Sequence, residues 1–560
     1  MTYFFKNRIS VILPLILLLG FAGLFVAKPE SLEDFQLRFF DLLQKMKPRV
    51  FRETPVTIVD IDNESLSRLG QWPWPRTQAA ELVARLVKSG AAVVVLDIVF
   101  AEPDRTSPQH ILPVWRHSGP IRALEAEISK LPDHDSLFAD AIAKANVVTG
   151  FSLINQPNKI KPLLKAGFAF SGDDPVRYLP VFRGAVTNLP VIESAATGNG
   201  SFNILADRDG ILRRIPLLFR LKDELYPALY LEALRVAQGA STYIVKSSGA
   251  SREASFGEHT GLSSVKVGDY VVPTDAEGKI WLYDTGHVKE RIVPAWKIFS
   301  GDFNPKRVNG SIVYVGTSAE GLKDQRTTPL DPLMPGVEVH AQLTEQILSG
   351  EFLYRPDWAP GAELCYLIVL GLLLIILMQF VSPVGCAVLG LLGIGGALEF
   401  SWYMFTHHRW LFDPILPSLE VLVIYLCSSL INYLKTVSEK RNIRNAFSRY
   451  MSPVLVEKLA KNPEKLKLGG ETKNMTVLFC DIRGFTALSE KFEAQELTLF
   501  LNRFLTPMTD IILAHYGTVD KYMGDAILAF WNAPLDDPAH AEPACSAALE
   551  MRRGLAALNE

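Results

Sequence analysis

Two aspartates, Asp481 and Asp525, have the type and setting that chemistry needs. Asp481 follows the apolar run Thr476–Cys480 in "TVLFCDIRGFTALSE", and Gly484, Phe485 and Thr486 then open a helical pattern. A strand that delivers a carboxylate beside a helix start offers two things to a phosphate. The helix supplies free N–H groups, and the carboxylate can hold a divalent cation bridging the same phosphate. Asp525 lies in "GTVDKYMGDAILAFW" (517–531), which reads as a hairpin with Asp525 at its turn and Lys521 on the incoming strand. Two aspartates on neighbouring strand ends can share two cations. Such a pair activates an attacking oxygen and stabilises a leaving one at a single phosphorus. A lysine supplies a donor that an acceptor on a nucleotide base could satisfy. The competing reading is a structural strand–turn pair with ordinary loop carboxylates, since Asp-x-x-Gly-Phe alone is common in loops.

The elements that must position these residues sit at the end of a long, apolar chain. Its 560 residues suggest several domains. A net charge of −3 gives no electrostatic case for nucleic acid as a partner. A mean hydropathy of +0.16 in so long a chain points to membrane segments. Four runs fit: Ile9–Ala27, Leu364–Val381, Val384–Phe405 and Leu411–Leu434. The first is read as an uncleaved anchor rather than a signal peptide, because its apolar core is long and no A-x-A site follows. Trp358, Trp402 and Trp410 stand where aromatic belts form. Lys6 and Arg8 flank the first run, and Lys435, Lys440, Arg441 and Arg444 follow the last. The positive-inside rule therefore puts both chain ends in the cytoplasm and residues 28–360 outside. Glu399 and Glu420 lie within the last two runs. Helix packing or a lipid-edge position is the plainer reading of them, and a proton relay the sharper one.

The five cysteines are Cys365, Cys386, Cys427, Cys480 and Cys545, so the outer segment has none and is no disulfide scaffold. It reads as α/β: "TPVTIVDIDNESL" and "AAVVVLDIVF" are buried strands, and "AAELVARLVKSG" between them has helical spacing. Strand, helix and strand make a βαβ unit with a parallel pair. Asp60, Asp62 and Asp97 fall at strand ends, where parallel sheets bind ligands. Capping of helices and loops is the simpler role for them. The stretches "VDIDNESLSRLGQWPWPR", "VVVLDIVFAEPD", "DGILRRIPLLFR" and "TTPLDPLMPGVEVHAQ" resemble, in order, the second type of CHASE domain. That is an extracytoplasmic sensor module of bacterial signalling proteins. The resemblance implies an outer stimulus or ligand, whose identity has no signature in the sequence.

Residues 445–560 resemble the class III nucleotidyl cyclases, through D-I-R-G-F-T (481–486), K-Y-M-G-D (521–525) and the preceding "RYMSPVLVEKL" and "LGGE". The resemblance implies an α/β, ferredoxin-like catalytic domain and two divalent cations, Mg²⁺ or Mn²⁺. Asp481, the Ile482 carbonyl and Asp525 would be the ligands, and Gly484, Phe485 and Thr486 would lie against the phosphates. The family's base-reading lysine falls on Lys521, where guanylate-specific members usually carry glutamate, so ATP is the implied substrate. The implied protein is a homodimeric, membrane-bound adenylate cyclase of a bacterial inner membrane. It would carry a cytoplasmic N-terminus (1–8), a first span (9–27), a sensor (28–360), three more spans (361–434), a linker (435–470) and a cyclase domain (471–560). A second base-reading residue and a transition-state asparagine and arginine are expected beyond Glu560. The 1–560 chain is thus read as an incomplete cyclase, cropped rather than decayed, and inactive alone. Guanylate cyclase, or a non-catalytic sensor with a decayed cyclase half, are the alternatives.

Overall fold

The structure, a computed structural model, describes residues 2–115, 125–247, 261–322, 324–447, 456–457 and 472–558. The segments "RYMSPVLVEKL" and "LGGE" fall almost wholly outside these residues, as do the side chains of Lys6, Arg8, Lys440 and Arg444. Two compact units divide the chain, one formed by 11–425 and the other by 1–10 with 426–560.

In the first unit, a parallel sheet runs in the order Ile292–Pro294, Val56–Ile61, Ile312–Thr317, Val93–Leu96, Val147–Ile154, Gly198–Ser201, with Gly184–Val186 antiparallel at its edge. The strands are apolar on both sides because helices cover both faces. Val56, Ile58, Val93 and Val95 pack towards helices Leu229–Ala237 and Gly336–Ser349. Val59, Ile61, Val94 and Leu96 pack towards helices Arg76–Lys88 and His134–Ala143. The expected βαβ unit is present with one difference. Val56–Ile61 and Val93–Leu96 are parallel but not neighbours, because Ile312–Thr317 pairs between them. A strand some two hundred residues downstream takes that place, and local pattern carries no trace of it. Smaller sheets extend the unit. One runs Tyr270–Pro273, Leu262–Val267, Thr242–Ser247, Gly167–Ser171, and another Glu224–Pro227, Leu218–Leu221, Val181–Phe182.

Among the described residues, five helices are long and apolar enough to cross a membrane: Ser10–Ala27, Ala359–Leu377, Pro383–His408, Ile415–Ser438 and Ala494–Ala514. The first four correspond to the four apolar runs. Leu18, Leu367, Ile375, Leu416 and Ile424 pack three of them together, while Ile16, Leu19, Val369 and Leu391 stay exposed. Trp358 and Trp410 meet edge to face at 5.7 Å, and Trp402 stacks on Phe405. The fifth helix belongs to the C-terminal unit. It carries Glu496, Arg503 and Asp510 and buries Met508 and Ile512 in that unit's core.

The C-terminal unit is built on a three-stranded antiparallel sheet, Thr476–Cys480, Ala526–Trp531, Thr518–Met523, with Ala526–Trp531 in the middle. Ile527, Ala529 and Trp531 alternate towards helices Ala494–Ala514 and Ala541–Leu558 and form the core with Met508, Ala547 and Met551. The opposite face is open: Val477 is 51% and Phe479 70% exposed.

Candidate active site

Register brings the two aspartates together. Cys480 pairs with Ile527, so Asp481 leaves one strand beside the start of the next, where Asp525 stands in the hairpin turn. Gly524 takes a φ of +67° that closes this turn, a conformation L side chains rarely adopt. The Ile482 N–H donates to Asp481 Oδ1 at 3.0 Å and to Asp525 Oδ2 at 3.2 Å. Both carboxylates thus converge on one backbone amide. Asp481 is exposed and Asp525 half-buried, so water does not compete with a closed cage. Burial pushes the neighbouring Cys480 thiol up, and the charge of Asp481 adds to the shift.

Gly484 is the N-cap of helix Phe485–Ser489, with a φ of +77°. That helix has only five residues, so its dipole is short. The Phe485 N–H donates to the Ile482 carbonyl at 3.3 Å, which leaves that oxygen a second lone pair. Phe485 is half-buried and Thr486 exposed.

Lys521 owes its orientation to an irregularity. Val519 pairs with Ala529 and Lys521 with Leu528, so Asp520 is one residue too many. This bulge shifts the side-chain alternation. Without it Lys521 would oppose Ile527 on the helix-covered face. With it, Lys521 stands in a row with Leu528 and Phe479 on the open face. Its Nζ lies 3.1 Å from Asp520 Oδ2, in an exposed pair. Tyr522 faces the other way and its hydroxyl is 2.9 Å from Thr509 Oγ1. The Asp520 partnership is a feature that sequence reasoning missed; an acidic residue breaking the apolar alternation was its signal.

Two hard carboxylate oxygen donors, partly open to water, fit a small divalent cation such as Mg²⁺ or Mn²⁺. Among the described residues no group of three or more His, Cys, Asp or Glu side chains is placed to hold a metal ion. The remaining ligands must be carbonyls, water or substrate oxygens, which is the usual pattern for Mg²⁺ on a nucleotide.

Comparison with known families finds two matches along the chain. The CHASE2 domain pattern covers residues 13–378, about two thirds of the chain. The chain belongs to the CHASE2 family. The adenylate and guanylate cyclase catalytic domain matches 469–560. The CHASE2 protein is 34% identical over 119 residues to "Adenylate cyclase 1" of Rhizobium meliloti (strain 1021), covering 21% of this chain and 18% of that protein. It is 36% identical over 118 residues to "Adenylate cyclase" of Anabaena cylindrica, covering 21% and 22%. Among solved structures, the adenylyl cyclase CyaB from P. aeruginosa is 42% identical, covering 15% of this chain and 44% of that one, with a TM-score of 0.15. The chain spans about a fifth of the length of the curated relatives it matches.

In the α/β part of the CHASE2 region the three strand-end aspartates serve different purposes. Asp62 caps helix Asn63–Leu69, accepting from the Ser65 N–H at 2.7 Å. Asp60 accepts from the Ser318 N–H and hydroxyl, and burial raises its pKa to about 6. Asp97 is pushed well above the carboxylate range by burial and by the charge of Asp324, with Arg326 opposing. Sequence reasoning did not find the buried ionic clusters. Arg213 holds Asp41 and Asp209, and Arg291 holds Glu338 and Glu345, both arginines fully buried. Glu338 and Glu345 share a face of helix Gly336–Ser349 at a spacing of two turns, which was the available signal.

Proposed function

We propose that the chain is a transmembrane, signal-responsive adenylate cyclase, converting ATP to 3′,5′-cyclic AMP and pyrophosphate. The observation that carries this reading is the convergence of Asp481 and Asp525 on the Ile482 amide. Two divalent cations bound there would supply Lewis-acid activation of the ribose 3′-hydroxyl and charge neutralisation on the triphosphate. Asp481 and Asp525 fix where those charges sit, and the Ile482 carbonyl adds an oxygen donor. The exposed backbone around Gly484–Thr486 leaves room for phosphate oxygens. Lys521, aimed onto the open face by the Asp520 bulge, donates to the adenine acceptor after exchanging its contact with Asp520. Glutamate at this position would suit the donors of guanine instead, so Lys521 favours ATP over GTP.

The open face with Val477, Phe479 and Lys521 supports a homodimer, in which a second catalytic domain covers it and completes the pocket. Four spans, rather than five, fit the C-terminal unit best. Helix Ala494–Ala514 is charged on one side and covers the cyclase sheet with the other. With four spans both ends are cytoplasmic, at a bacterial inner membrane, and 28–360 receives an outer stimulus. Changes in the relative placement of the two catalytic domains would carry that stimulus to the chemistry.

The test is a cyclase assay on membranes carrying this chain together with any native residues that follow Glu560, comparing ATP with GTP under Mg²⁺ and Mn²⁺. Cyclic AMP from ATP, with at least tenfold lower cyclic GMP from GTP, is expected. Preference for GTP would overturn the role of Lys521, and no product from either would support a non-catalytic sensor.

A further inference from the structure

A cavity of about 690 Å³ opens between two of the smaller sheets of the first unit. That volume lies within the range of small-molecule sites. One wall is the edge strand Gly167–Ser171 with Phe168 and Phe170, preceded by the loop carrying Leu163 and Leu164. The other is the hairpin strand Glu224–Pro227 with Leu225 and Tyr226, and helix Pro190–Ala195 brings Glu193 to the lining. Leu225, Tyr226 and Glu193 are buried, whereas Leu163, Leu164 and Phe170 are exposed. The cavity therefore has a buried base and an apolar mouth.

Its charges are unbalanced. Three carboxylates line it, those of Glu193, Asp223 and Glu224, against one ammonium, that of Lys161. Glu224 is paired with Lys161 at 2.7 Å and Asp223 with Arg220 at 3.6 Å. Glu193 has no cation within salt-bridge distance among the described residues. Its Oε1 accepts from the Leu163 N–H at 3.1 Å and from Asn199 Nδ2 at 2.6 Å. Among the described residues its Oε2 takes no hydrogen bond. Lys165 donates to the Ser194 carbonyl at 3.0 Å, and its charge offsets that of Glu193 in part from beyond salt-bridge distance. A carboxylate only 7% exposed, with one oxygen unpartnered, is costly unless something compensates it. Burial accordingly raises the pKa of Glu193.

We infer that this cavity binds a small organic cation, a protonated amine on an apolar body. The ammonium docks on Glu193 Oε2, and the apolar part lies against Phe168, Phe170, Leu164 and Tyr226. A free anion is repelled by the three lining carboxylates, which outnumber the one lining ammonium, and a purely apolar molecule adds no donor to Oε2. This inference rests on residues 28–360 being a sensor only for its purpose; the binding itself is independent of cyclase turnover.

The experiment uses the whole 1–560 chain in lipid nanodiscs, with calorimetric titration of three probes of equal size. These are 2-phenylethylammonium, neutral 2-phenylethanol and anionic phenylacetate. The ammonium is expected to bind at least tenfold more tightly than either other probe. Glu193→Gln keeps the Oε1 acceptor for Leu163 and Asn199 and removes only the charge. It should weaken the ammonium at least tenfold and leave 2-phenylethanol unchanged. Phe170→Ser, on an exposed edge, should weaken ammonium and alcohol together. Thermal melting of both variants reports whether the fold is kept. Equal binding of the three probes, undiminished ammonium binding by a folded Glu193→Gln, or no binding of any probe at 10 mM would each overturn the inference. Ammonium binding that leaves cyclic AMP output unchanged in membranes carrying this chain together with any native residues that follow Glu560 would keep the site and remove the sensor reading instead.

Discussion

At the scale of single residues, the two aspartates and the lysine make separable demands. Replacing Asp481 or Asp525 by Asn keeps size and the acceptor for the Ile482 N–H but removes a charge facing the cations. Loss of one cation takes away several kcal/mol of charge stabilisation, so kcat in the extended chain should fall roughly a hundredfold or more. Near-normal rates with Mg²⁺ in either variant would remove that residue from the metal site. Lys521→Glu should reduce kcat/KM for ATP about tenfold or more, since a hydrogen bond to a charged group is worth about 1.5–3 kcal/mol. Unaltered ATP kinetics would take Lys521 out of the base pocket. Asp60 makes a pH prediction. Burial raises its folded pKa to about 6, from 3.8 for an ordinary aspartate. The folded state therefore holds an extra proton between about pH 4 and 6, and stability falls as pH rises through that window. A shift of about two units corresponds to ~3 kcal/mol lost by pH 7. Asn at this position still accepts from the Ser318 N–H and can donate to its hydroxyl. Asp60→Asn should accordingly raise the melting temperature at pH 7–8 and make no difference near pH 4. A stabilisation that is constant with pH would refute the titration.

At the scale of elements, one membrane contact is unusual. Glu420 is fully buried, and neither carboxyl oxygen has a hydrogen-bond partner. It rests against Gly371, where an added Cβ would come within 2.2 Å of Glu420 Oε1 and 2.6 Å of Leu18 Cδ1. Glu399, by contrast, is exposed. A buried carboxyl without a partner costs about 1–3 kcal/mol, so Glu420→Met, similar in length and apolar, should raise the melting temperature in nanodiscs. Gly371→Val should lower it, by ~1–3 kcal/mol of overpacking. A lower melting temperature for Glu420→Met would mean that the carboxyl has a partner in the membrane. The Asp520 bulge is the other deciding element. Period-two reading of "TVDKYM" assigns alternate residues to opposite faces, but one extra residue reverses the assignment from Lys521 onwards.

For the whole molecule, the testable statement is topology. Reporter fusions at Gly257 and at Gly470, both outside the described residues, should report an extracytoplasmic and a cytoplasmic site respectively. A cytoplasmic signal from Gly257 would sink the four-span reading, and an outer signal from Gly470 would do the same. The apolar helices, the α/β character of residues 28–360 and the candidates for site residues were legible in the sequence. Those follow from local pattern, namely uncharged runs long enough for a bilayer, continuous apolar strands and short strand–turn motifs. Only the tertiary structure decided that Ile312–Thr317 inserts between Val56–Ile61 and Val93–Leu96. It also places Arg213 and Arg291 among carboxylates, and leaves Glu193 beneath an apolar mouth with no cation in salt-bridge distance among the described residues. Strand order, ion pairing and cavity shape depend on residues far apart in the chain. Their energies come from desolvation and register that no local window contains.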